Sequence, residues 1–114
     1  MQRPSALQKA ERIRQLNDSF RQTFVGGVVL ITAGVEHLAP VVRAETLHRV
    51  RAFDSFDMGS DPHGEHDFGS FDLAGQKIFW KIDYYDSAVQ YGSEDPADPG
   101  VTTRVLTVML AAEY

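Results

Sequence analysis

His63 and His66 stand three residues apart, with Asp61, Glu65 and Asp67 around them, and these residue types could hold a metal ion or move a proton. Imidazole and carboxylate ligands without thiolate would suit zinc, manganese or iron. The spacing leaves the geometry open. Histidines three apart share a face in a helix, but Pro62 and Gly64 argue against a helix, and in a strand the two would point to opposite faces. A hydrolytic reading takes His66 as general base, with Asp67 or Glu65 orienting it and Asp83 or Asp86 as a second carboxylate. A buried His66 bonded to a carboxylate would equally serve only to fix the loop. The choice between enzyme and binding module turns on this residue.

The second concentration of chemistry is aromatic. Trp80, Phe79, Tyr84, Tyr85 and Tyr91 could form a platform for nucleic-acid bases. Such platforms sit among Lys and Arg, whereas this region has Lys77 and Lys81 among many acids. Core packing accounts for Trp80 and Tyr84, which leaves Tyr85 and Tyr91 as exposed contacts. Gly26-Gly27 and Thr103-Arg104 fall in no phosphate-binding glycine spacing, which argues against a nucleotide site.

The elements that would position these groups follow from periodicity. Ser5 and Gln8 fit a capping box, and Leu7, Ala10, Ile13, Leu16, Phe20 and Phe24 recur every three or four residues. The spacing predicts an amphipathic helix over 5–24, with Asp18 and Arg21 on its outer, mostly basic face and Gly26-Gly27 as its stop. Val28 through Thr32 reads as a buried central strand. Pro40 opens a second helix with a core stripe of Ala44, Leu47, Val50 and Phe53. Residues 54–67 form a long polar loop. Phe68–Leu73 and Gln76–Tyr85 flank the turn Ala74-Gly75, with Ile78, Trp80, Ile82 and Tyr84 facing the core. After a second polar loop, Asp98-Pro99 favours a helix and Val105 through Leu110 a strand; a strand over 103–110 gives the hairpin a third partner. The expected fold is α+β: an antiparallel sheet of three to four strands with two helices packed on one face.

At 114 residues the chain fits a single domain, 1–114. Its net charge of −5 argues against direct nucleic-acid binding, but the mean hides a split. Residues 1–24 carry five basic groups against two acids, a net of +3. Residues 54–98 carry eleven acids against Lys77 and Lys81, a net of −9. One end could meet a basic partner, or a second copy head to tail as a homodimer. The absence of cysteine fits a reducing compartment, and no apolar run reaches the roughly 18 residues of a membrane span. The expected location is the cytoplasm, with no membrane partner.

Ile13–Asp18, Thr32–Val35, Val50–Asp54, Gly64–Gly69, Trp80–Asp86, Asp95–Pro99 and Val105–Thr107 together resemble a family of small bacterial proteins known as domain of unknown function 3768. The resemblance implies a stand-alone accessory protein, of a kind common on plasmids and other mobile elements of alphaproteobacteria. Genes in that setting often serve transfer, maintenance or evasion of host defence. The leading expectation is a non-catalytic acidic protein, without cofactor, that engages a basic protein partner such as a restriction or CRISPR effector. Its contact residues would be Glu65, Asp67, Asp83, Tyr85, Asp86 and Tyr91. The alternative is a small metal-assisted hydrolase or nuclease using His63, His66 and Asp67, with Glu65 and Asp83.

Overall fold

The computed structural model describes residues 5–114. Helix α1 spans Ala6–Thr23, opened by the capping box in which the Ser5 hydroxyl accepts from the Gln8 amide and the Gln8 side chain from the Ser5 amide. Its end differs from the expected glycine stop. Phe24, not Gly26 or Gly27, takes the left-handed conformation at the cap, with φ 58°. The buried side also differs. Ile13, Asn17, Phe20 and Arg21 are buried, Asp18 is half-buried beside Arg21, and Leu7 is exposed. The core stripe runs through two polar residues, because other elements supply partners that only hydrogen-bonding side chains satisfy.

Strand β1 (Gly27–Ile31) leads to a short helix α2 (Ala33–Glu36), then α3 (Pro40–Arg51), which starts on proline as expected. After the 54–67 loop, β2 (Phe68–Leu73) and β3 (Gln76–Tyr85) make the hairpin around Ala74-Gly75, and β4 (Thr103–Leu110) precedes a 3-10 turn over Ala111–Glu113. The four strands lie in the order β1-β4-β3-β2. The α+β fold is therefore as expected, but the sheet is mixed. β1 runs parallel to β4, and the other two pairings are antiparallel.

The expected central place of residues 28–32 is also corrected. β1 is an edge strand, with Val28 and Leu30 43% and 51% exposed. A continuous apolar run marks burial on both faces only when both are covered, and among the described residues no helix lies on the second face of β1. The equally continuous run of β4 occupies the centre instead.

Phe20, Val35 and Val50, one from each helix, pack on Ile78, Trp80, Ile82, Leu106 and Val108, which all project from one sheet face. Three helices thus cover that face, α2 being the one that periodicity could not reveal in four residues. Gly69 pairs with Trp80 across the hairpin, and a Cβ there would collide with the indole and the Phe53 ring. The close approach lets Trp80 lie flat under β2, fully buried, with Phe53 and Phe56 edge-on at 5.5 and 6.1 Å.

Candidate functional site

Two neighbouring residues of α1 organise both long loops. Asn17, completely buried, donates from Nδ2 to the Glu65 carbonyl at 3.0 Å and to the Tyr84 hydroxyl at 2.8 Å. Its Oδ1 accepts from Arg104 Nε at 2.7 Å, and the Tyr84 hydroxyl donates to the Glu65 carboxylate at 2.9 Å. Every polar atom of the amide side chain has a use. Burial pushes the Tyr84 phenol far above its ordinary range, reinforced by the Glu65 charge, so it stays a donor. Burial draws the Arg104 guanidinium below the usual arginine value; that group also lies 5.2 Å over the Tyr84 ring.

Asp18 holds the other half. Its carboxylate meets His66 Nδ1 at 2.8 Å and the buried Arg21 at 3.1 Å. The His66 ring stacks flat on Phe56, with centroids 3.7 Å apart, and its Nε2 lies 3.7 Å from Asp61. Asp61, also buried, accepts the backbone amides of Glu65 and His66. His66 itself sits at φ 55°, an uncommon region for a side chain with a Cβ. Arg21 donates to the carbonyls of Val50 and Arg51, so one chain of bonds joins α1, the end of α3 and the 54–67 loop.

This geometry describes a clamp. Both imidazole nitrogens face carboxylates that are themselves engaged, Asp18 with Arg21 and Asp61 with two backbone amides, and His63 lies on the exposed side of the loop. Among the described residues no three His, Asp or Glu side chains converge as metal ligands would. The family described as "Protein of unknown function (DUF3768)" has a model that matches residues 31–113. The chain belongs to this family. No curated protein and no solved structure matches it. The family match takes in both loops, the hairpin and β4, while Asn17 and Asp18 lie before it.

The six expected contact residues fall into two groups. Glu65 and Asp67 lie at the α1 end of the loop, with Glu65 consumed by Tyr84. Asp83, Tyr85, Asp86 and Tyr91 gather at the far end of β3, where Tyr85 bridges Gly92 and the Asp86 amide donates to the Tyr91 carbonyl at 2.8 Å. Asp83 is paired with Lys81 at 2.9 Å. Beside this second group opens a groove of about 590 Å³, lined by Asp86, Tyr91, Glu94, Asp95 and Val101 and, among the described residues, by no lysine, arginine or histidine. Asp86 and Asp95 each commit one oxygen to a backbone amide, of Gln90 and Ala97, and Tyr91 is 73% exposed.

The groove wall is a built structure. Ser93 bonds Thr102 at 2.6 Å and accepts the Asp95 amide, Thr102 donates to the Asp95 carbonyl, and Arg104 donates to the Pro96 carbonyl. Arg104 therefore couples the groove loop to Asn17. This junction is absent from the sequence-based expectations, although two signals point to it: Asn17 is one turn from Ile13 on the core stripe, and Arg104 shares the period of two with Leu106 and Val108.

Asp67 carries a testable electrostatic cost. Burial, then the neighbouring Glu65 and Asp61 charges, hold its carboxyl above the ordinary 3.8, despite opposing help from its own backbone and His63. The folded state thus binds this proton more tightly than the unfolded chain. Its contribution to stability falls as pH rises through the unfolded and then the folded value, and the penalty is complete above both. Asp67→Asn is expected to raise the melting temperature at pH 7 by a few degrees and to leave it unchanged near pH 3. Equal melting at pH 7 would show that Asp67 bears no such cost.

Proposed function

We propose that the protein is a non-catalytic binding module that receives a basic segment of a partner protein in the groove beside β3. The carrying observation is the groove lining: three carboxylates, an exposed tyrosine and, among the described residues, no cation. Asp86, Glu94 and Asp95 give steering and charge-assisted hydrogen bonds to a lysine or arginine, and Tyr91 supplies a flat face for cation–π contact. A framework held by Arg104, Ser93 and Thr102 limits the entropy lost on binding.

The reading favours binding over hydrolysis because His66 is occupied by Asp18, Asp61 and Phe56. In a cytoplasmic accessory protein of a mobile element, the fitting partner is a nucleic-acid-binding host protein, such as a defence effector, whose basic channel the groove would engage. Among the described residues no helix is long and apolar enough to cross a membrane.

Titration with a short lysine- and arginine-rich peptide, followed by amide chemical shifts, tests the location. Shifts concentrated on residues 86–101 and suppressed by salt are expected. Shifts centred on the Glu65–Asp67 turn, or spread evenly over all acidic segments, would reject the groove.

A further inference from the structure

The helices all cover one sheet face; the opposite face presents Val28 and Leu30 on β1, Phe79 on β3 and Phe68 on β2, with Tyr114 packed edge-on to both phenylalanines. The Lys81–Asp83 ion pair sits at its middle on β3. We infer that this open face is a homodimer interface in which two copies pack sheet to sheet about a two-fold axis crossing β3 at Ile82.

Charge complementarity selects a second copy as the occupant. A two-fold axis lying between the sheets and across the strands runs the two β3 strands antiparallel, which sets Lys81 of each copy against Asp83 of the other. The same operation acts on every strand at the level of Ile82, which is in register with Leu106 and, through it, Val29. Val28 then faces Leu30, Phe79 faces Tyr85, and Val105 faces Thr107, each pair occurring twice. A basic partner would find one lysine there already neutralising one aspartate, whereas this pattern complements itself. The strands hold five, six, ten and eight residues, which at roughly 4.8 Å spacing and 3.3 Å per residue gives a face near 460 Å² per copy and about 900 Å² per pair, the size of a small reversible interface. Aligned sheets are a standard packing mode. The face is separate from the lining of the acidic groove, so a dimer leaves both grooves open.

Sedimentation velocity on the full chain tests the arrangement through charge exchange. Wild type is expected at twice the 12.7 kDa chain mass. Lys81→Asp and Asp83→Lys alone should each weaken self-association at least roughly tenfold, because like charges then face each other across the axis. An equimolar mixture of the two variants should restore a dimer, a rescue that no effect on monomer folding can produce. Leu30→Arg, at a half-exposed position that tolerates charge in the monomer, should also yield monomers. A monomeric wild type, dimeric single variants, a dimeric Leu30→Arg or a mixture that stays monomeric would each overturn the inference.

Discussion

Asn17→Ala is expected to lower the unfolding free energy by roughly 3 kcal/mol or more, since it strands a buried guanidinium, a phenol and a backbone carbonyl together. In a domain of this size that corresponds to a melting temperature lower by roughly 10 °C or more. The loss should be felt in both loops, because Arg104 Nε bonds Asn17 while the same guanidinium holds the Pro96 carbonyl of the groove wall. Differential scanning calorimetry gives the stability change, and hydrogen exchange should show faster amides at residues 61–67 and 93–98. Loss of less than about 1 kcal/mol would mean that solvent or a shifted side chain replaces the amide, and the coupling between the loops would fall with it.

His66→Ala has the second largest effect, about 1–2 kcal/mol, from the lost Asp18 hydrogen bond and the Phe56 stack, reduced by the part of the ring that solvent reaches. The backbone at φ 55° adds a separate cost for alanine that glycine does not bear. His66→Gly should therefore be the milder variant. Limited proteolysis should cut the 54–67 loop faster in both. Peptide binding at the groove should stay at the wild-type level, since no residue of that loop lines it. A His66 variant with unchanged stability and a lost hydrolytic activity would instead place the residue in an active centre.

How much of this was legible in the sequence depended on whether a local pattern carried the information. The capping box at Ser5, the hairpin about Ala74-Gly75 and the inward face of Ile78, Trp80, Ile82 and Tyr84 are local, and the structure has them as expected. The C-terminal segment balanced a helix start at Asp98-Pro99 against a β-branched run; the run prevailed because β4 pairs on both sides. Strand order is a non-local property. Val28–Ile31 and Val105–Met109 are nearly equivalent as apolar runs, so nothing in either could say which lies central and which at the edge.

The site divides in the same way. His66 stands out locally as decisive, but its partner Asp18 is 48 residues away and by periodicity falls on the outer face of α1. Arg21 falls on the outer face by periodicity and Asn17 on neither, because a burial pattern built on apolar residues cannot see a polar core. Asp86 and Tyr91 were recognisable as exposed contacts. Glu94 and Asp95 joined them only through the turn that brings Gly92 to Tyr85.

The central claim, that the groove beside β3 binds a basic partner, is tested most directly by capture from host extract with wild type and an Asp86→Lys/Glu94→Lys/Asp95→Lys variant side by side. The expected result is that wild type retains a basic protein in a salt-sensitive manner and that the variant, folded by circular dichroism, loses it. Equal retention of the same protein by both would contradict the claim.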